Sequence, residues 1–266
     1  MPHSSGAPHL VDFASGEAAA LPCPWPLKGL KIAWLAFWAA AATALVFPPI
    51  LVLAPFSRTG SALFTCARLW ARIVLAVCGV RVRTRYLAPL DPARTYMLVS
   101  NHQSHFDGPA LAVGLGKLSF RWIAKRELLR IPVFGRCLKA SGNIFIDRRD
   151  RERAMASIRK GVAGLPPGVS VMCFAEGTRS ADGRLGSFKK GGFAAAIEHG
   201  LPVLPITING SARALPRGSA CFHRGLIELV VGAPMETAHL TADDLTALLE
   251  RTRLAIRDKW RPVPGG

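Results

Sequence analysis

The sequence predicts an α/β fold: a mixed, largely parallel sheet flanked by helices, with an N-terminal membrane-associated helical hairpin. Three observations lead to it. From Arg81 onward, short β-type runs alternate with helix-type runs. Before that point, residues 32–57 contain no charged side chain, bounded by Lys31 and Arg58. Two polar clusters, 101–107 and 176–180, each follow an apolar β-type run directly, and in such sheets chemistry lies just beyond the carboxyl ends of strands.

Taken in order, residues 1–26 are rich in Ser, Ala, Gly and Pro and read as a disordered leader. Residues 27–85 form the predicted membrane-associated segment. A helix needs about 20 apolar residues to cross a bilayer core, so 32–57 is long enough. Pro48-Pro49 is expected to kink or end that helix, which leaves 32–47 short for a span. Trp34 and Trp38, near Lys31, suit a membrane interface. Residues 63–80 carry Arg68 and Arg72 beside Leu69, Ile73, Val77 and Val80, spaced like one helix face. The two stretches are expected to pair as a hairpin in or on one leaflet, with a single span as the rival reading. A cleaved signal peptide is disfavoured, because the apolar run starts late and lacks a small-residue cleavage site.

Residues 86–260 form the predicted α/β domain. Strands are expected at 95–100, 143–146, 169–175, 203–208 and 226–231, with helices at 108–113, 151–161 and 192–199. Thr241, with Asp244 three residues on, caps a last helix that runs to about Lys259 and gathers Leu245, Leu248, Leu249 and Ile256 on one side.

Composition narrows the partners. The chain of 266 residues has 34 Lys+Arg against 17 Asp+Glu, a net charge of +17, yet 50% of it is hydrophobic. A disordered basic tail would be far less apolar, and an ordinary soluble enzyme would sit nearer neutrality. Residues 117–190 alone hold 17 Lys/Arg and 6 Asp/Glu. No helix-turn-helix, zinc-finger or RNP-type signature accompanies this charge, so nucleic acid is not the expected partner. The six cysteines, Cys23, Cys66, Cys78, Cys137, Cys173 and Cys221, form neither C-x-x-C pairs nor a cluster. That spacing predicts no zinc site, no small disulfide framework and a reducing compartment.

The sharpest feature is Asn101-His102-Gln103-Ser104-His105-Phe106-Asp107. Five residues on one helix would separate His102 and Asp107 by about 140°. They can meet only if His102 lies in the loop before the helix. The carboxylate would then accept from one ring nitrogen, fix the tautomer and leave the other nitrogen as a general base. Two other readings stay open on these residues alone: a satisfied loop histidine beside a helix N-terminal Asp, and a metal bound by His102, His105 and Asp107. The spacing is not that of the helical His-Glu-x-x-His zinc motif, and no Gly-x-Ser-x-Gly elbow occurs. At the second strand end, Glu176-Gly177-Thr178-Arg179-Ser180 offers a guanidinium fork suited to phosphate or carboxylate, and Gly177 permits close approach. Between the clusters, 122–128 and 142–148 place cations beside apolar groups.

These residues resemble the 1-acylglycerol-3-phosphate acyltransferases and their glycerophospholipid acyltransferase relatives, over roughly 86–231. Asn101, His102, Ser104 and Asp107 meet the first block, with its His-x4-Asp signature, and 142–148 meet the second. Phe174-Ala175-Glu176-Gly177-Thr178-Arg179-Ser180 meets the third, with Ala175 where the family usually has proline, and Leu201-Pro202-Val203-Leu204-Pro205 meets the fourth. The resemblance implies that His102 is the general base on a glycerol hydroxyl, oriented by Asp107, and that the acyl thioester is attacked directly. It implies that Arg179, Arg148 and Lys125 hold the acceptor phosphate, while Glu176, Gly177 and Thr178 shape the acceptor site. Ser104 and His105 take supporting roles. No metal or resident cofactor is implied; acyl-CoA or acyl carrier protein is the co-substrate, membrane lipids are the partners, and the expected location is the cytoplasmic face of the inner membrane. A lyso-ornithine lipid, lysophosphatidylglycerol or glycerol 3-phosphate is the alternative acceptor, and a non-enzymatic anionic-lipid-binding protein is the reading from another class.

Overall fold

One seven-stranded sheet carries the chain's polar clusters. In the computed structural model, which describes residues 25–53, 56–57, 60–131, 133–180, 184–219 and 221–261, its strands are β1 (Val80–Tyr86), β2 (Met97–Ser100), β3 (Ser119–Lys125), β4 (Ile144–Ile146), β5 (Val169–Phe174), β6 (Val203–Asn209) and β7 (Gly225–Val231). Their order is β1-β7-β6-β2-β5-β3-β4. From β6 to β4 all neighbours are parallel; β7 runs antiparallel to β6, and β1 parallel to β7. The sheet is therefore mixed and largely parallel, as the alternating pattern predicts. The helices are α1 (Trp25–Leu53), α2 (Ser61–Val77), α3 (Asp107–Gly114), α4 (Phe134–Ala140), α5 (Arg151–Ala163), α6 (Lys190–Glu198), α7 (Ser211–Ala214) and α8 (Leu245–Arg257). Nearly all of the leader predicted at 1–26 lies outside the described residues.

The central strands are mostly apolar because both faces are covered. Every residue of β2 and β6 is buried. Leu98 packs on one face with α2 and α3, through Val74, Leu75, Ala110 and Leu111. Its neighbours Met97 and Val99 pack on the other with α5, α6 and α8, through Ile158, Phe193, Leu248 and Ile256. Full burial of each such aliphatic side chain stabilises the fold by roughly 1.5–3 kcal/mol. Local signals agree: Asp150 caps α5 by accepting from Arg153 N, and Thr241 and Asp244 close a reciprocal capping box before α8. Gly114 lets α3 approach the sheet, since a Cβ there would lie 2.4 Å from Leu229 Cδ1.

The hairpin departs from expectation in two ways. α1 continues through Pro48 and Pro49 to Leu53 instead of ending at the pair. Val46, Phe47 and Ile50 bury against Leu63 and Cys137 there, and this packing offsets the two missing N–H donors. The apolar face of α2 is also rotated from the predicted one. Leu63, Phe64, Ala71, Val74 and Leu75 face the core, whereas Leu69 is 48% exposed and Ile73 and Val77 are half-buried. Two large apolar groups, Phe64 and Leu75, outweigh the Leu69–Ile73–Val77 stripe once the sheet is present. The sheet itself begins at Val80, earlier than the boundary at residue 86. β1 alternates exposed Arg81, Arg83 and Arg85 with Val80 and Val82, the pattern of an edge strand covered on one side.

Candidate active site

The carboxyl ends of β2, β5, β3 and β4 lie side by side, and each delivers residues singled out above. β2 ends at Ser100, and the loop that follows carries His102 to the start of α3, where Asp107 is the first helical residue. The imidazole Nδ1 lies 2.8 Å from Asp107 Oδ2. Asp107 is fully buried, while the His102 side chain keeps 19% of its surface open. Besides the imidazole, Asp107 Oδ2 accepts from the backbone N–H groups of Gln103 (2.6 Å) and Ser104 (2.8 Å). One carboxylate oxygen thus ties down both the ring and the loop that bears it, at a helix N-terminus where negative charge is favoured.

Neighbouring side chains fix the loop from outside. Asn101 exchanges two hydrogen bonds with the Ile208 backbone at the end of β6, at 2.9 and 2.8 Å. Ser104 Oγ donates to Leu215 O and accepts from Phe106 N. These are supporting roles. Burial, then Arg179 and then His102, push the His105 imidazole below its ordinary value.

The segment after β5 completes the site. Glu176 is buried, and its two oxygens accept from His102 N and Gly186 N, both at 2.9 Å. It braces the backbone of His102 itself. Burial pushes its carboxyl above the usual carboxylate range, and the two backbone N–H donors and nearby His102 oppose that rise. Gly177 takes φ +70°, the left-handed region glycine favours, and turns the chain back so that its N–H donates to Phe174 O. Ser180 N donates to His102 O at 2.8 Å, a second tie between the clusters. Thr178 is exposed beside them. Arg179 is half-buried, with its Nη1 buried and without a hydrogen-bond partner among the described residues.

His102, Asp107, Glu176, Gly177 and Arg179 therefore form one cluster. Lys125 ends β3 and pairs with Glu127 at 3.2 Å, and Arg148 lies exposed just past β4. Both stand at the same edge of the sheet, and neither bonds to the His102 cluster. Sequence reasoning gave no role to Phe174, on which the His102 ring stacks, or to Gly186. The signal for Phe174 was its place as the last strand residue before the Glu176 cluster. Gly186 had none, because its partner Glu176 is ten residues away across a loop.

An apolar cavity of about 350 Å3 opens between the hairpin and this loop, lined by Leu35, Trp70, Val74, His105, Phe106 and Leu215 among others. A larger one, about 540 Å3, lies beside β6, β7 and α8 and includes none of the clustered residues.

Comparison with known proteins matches residues 80–209 to the Acyltransferase family model. The chloroplastic 1-acyl-sn-glycerol-3-phosphate acyltransferase of Arabidopsis thaliana is 35% identical over 71% of this chain and 52% of its own length. The human 1-acyl-sn-glycerol-3-phosphate acyltransferase alpha is 34% identical over 70% of this chain and 65% of its own. The 1-acyl-sn-glycerol-3-phosphate acyltransferase of Pseudomonas aeruginosa is 35% identical over 62% of this chain and 65% of its own. The chain thus spans between about half and two thirds of these relatives. Among solved structures, the 1-acyl-sn-glycerophosphate acyltransferase of Thermotoga maritima superposes with a TM-score of 0.68 at 24% identity, covering 88% of this chain and 98% of that one. It has the same fold.

Proposed function

Since the chain belongs to the acyltransferase family, we propose that it moves a fatty acyl group from an acyl thioester to the free hydroxyl of 1-acylglycerol-3-phosphate, giving phosphatidic acid. The observation that carries this reading is the pairing of His102 Nδ1 with buried Asp107 Oδ2 at 2.8 Å beside a partly open imidazole.

In this account Asp107 accepts from Nδ1–H and leaves Nε2 free to take the hydroxyl proton of the acceptor. The oxygen so activated attacks the thioester carbonyl. The tetrahedral intermediate expels the thiolate, which recovers the proton from the imidazolium, and no acyl-enzyme forms. The donor, acyl-CoA or acyl carrier protein, is a co-substrate, and no resident cofactor enters. Arg179, whose buried Nη1 has no partner among the described residues, supports a phosphate-binding role. Lys125 and Arg148 add positive charge at the same edge, and Glu176, Gly177 and Thr178 shape the acceptor site. The apolar cavity between hairpin and loop suits a fatty chain.

Membrane lipids are the expected surroundings, at the cytoplasmic face of the inner membrane. Among the described residues, Leu27–Leu53 is long and apolar enough to cross a membrane, with a mean hydropathy of 2.0. Leu30, Phe37, Leu45 and Val52 leave its outer side apolar and exposed, a patch that lipid would cover. Purified enzyme, supplied with each acyl donor and a panel of lyso-lipid acceptors, tests the proposal. It predicts turnover with 1-acylglycerol-3-phosphate above lysophosphatidylglycerol, lyso-ornithine lipid and glycerol 3-phosphate; preference for any of these instead would reassign the acceptor.

A further inference from the structure

The imidazole of His102 is held on two sides. Asp107 fixes one ring nitrogen, but a single hydrogen bond leaves the ring free to swing about that contact. The second constraint is Phe174, the last residue of β5. Its ring lies parallel to the imidazole, with centroids 3.8 Å apart and planes 13° apart. Phe174 is backed by Trp122 of β3, at 5.8 Å and 18°. Trp122 packs edge-on against Phe120 (5.0 Å), and Phe120 edge-on against Phe64 of α2 (4.6 Å). An unbroken file of aromatic rings thus runs from the hairpin helix to the imidazole.

We propose that Phe174 is a positioning residue for the base, setting the plane of His102 so that Nε2 faces the acceptor hydroxyl, and offering its π-face to the imidazolium that forms during proton transfer. The inference rests on the general-base reading of His102. A ring face attracts a cation more than a neutral ring, so the contact strengthens as the base gains its proton. Interactions that grow toward the transition state raise kcat and leave substrate KM largely alone. Leu or Met can fill the volume but supplies neither face nor planar guide. Tyr supplies both.

The test compares wild type, Phe174→Leu, Phe174→Met and Phe174→Tyr as purified full-length protein, with 1-acylglycerol-3-phosphate and acyl-CoA. Phe174→Leu is expected to lower kcat roughly three- to tenfold, with both KM values within about twofold. Phe174→Tyr restores the wild-type rate. In proton NMR of the histidine ring, the His102 carbon-bound protons, shielded by the aromatic face below, move downfield in Phe174→Leu and stay in place in Phe174→Tyr. Phe174→Met reproduces the Leu result and stands in for it should the Leu variant not fold. Equal loss in the Leu and Tyr variants, a Leu or Met variant at the wild-type rate, or an unmoved His102 signal would overturn the positioning role. Failure of wild type to transfer acyl groups would instead overturn the reading on which it rests.

Discussion

Asp107→Asn separates charge from shape at the centre of the site. Asp107 Oδ2 accepts from His102 Nδ1, Gln103 N and Ser104 N at 2.8, 2.6 and 2.8 Å. An amide oxygen in the same place can still accept all three, so the tautomer and the loop survive. Each bond loses its ionic component, about 1 kcal/mol. The new NH2 takes the place of Oδ1, which is buried without a partner among the described residues, at a further cost of about 1–3 kcal/mol. Together these predict a loss of roughly 4–6 kcal/mol in stability and a melting temperature lower by about 10 °C or more. The larger effect falls on rate. Without an adjacent anion, the imidazolium of the transition state loses about 3–4 kcal/mol, so kcat should fall roughly 100- to 1,000-fold. Thioester release, followed at saturating acceptor well below the variant's melting temperature, measures it. A folded Asp107→Asn enzyme with less than a tenfold loss would refute the reasoning.

Three further outcomes follow from the same geometry. Arg179→Ala should raise the acceptor KM by at least about tenfold, because an ionic phosphate contact is worth roughly 1.5–3 kcal/mol; unchanged KM and kcat would remove its phosphate role. Arg68 donates to Ala112 O and Leu115 O, both at 3.1 Å, and to Leu118 O, and it lies 4.7 Å over the Phe64 ring. Arg68→Ala should therefore cost about 2–4 kcal/mol, read as a melting temperature several degrees lower. His105 resists protonation in the fold more than in the unfolded chain, so the native state loses stability as pH falls below about 6.5. His105→Gln should flatten the melting temperature between pH 7 and 5, and equal slopes in both proteins would contradict that.

Much of this architecture was legible because local and tertiary demands coincide. β2, β5 and β6 are buried on both faces, so their sequences are mostly apolar. The Thr241–Asp244 box announced α8 from chemistry confined to four residues. The spacing of His102 and Asp107 allows a pair only if His102 lies in the loop before the helix, and its 2.8 Å contact with the first helical residue meets that condition. Other features depended on distant partners. α3 hid its helix-to-sheet contact in Gly114, a residue whose value is the room it leaves for Leu229 and Thr84. β3 combines buried Phe120 with buried Arg121, whose guanidinium donates to Phe120 O, so its pattern does not read as a strand. The Pro48-Pro49 pair carries a strong local penalty, and only the contacts of Phe47 and Ile50 with Leu63 and Cys137 explain why α1 continues. The resemblance gives Glu176 a part in shaping the acceptor site. Its use as a brace appears once Gly186 and His102 N are seen to converge on it.

The most direct test of the account is product formation by wild type and His102→Ala in parallel, with 1-acylglycerol-3-phosphate, an acyl thioester and mass-spectrometric detection of phosphatidic acid. His102 Nε2 is the proposed proton acceptor, so the variant should stay folded and membrane-associated, with a melting temperature lower by several degrees for the lost bond to buried Asp107, while phosphatidic acid falls to background. Undiminished phosphatidic acid from a folded His102→Ala enzyme, or none from wild type, would contradict the account.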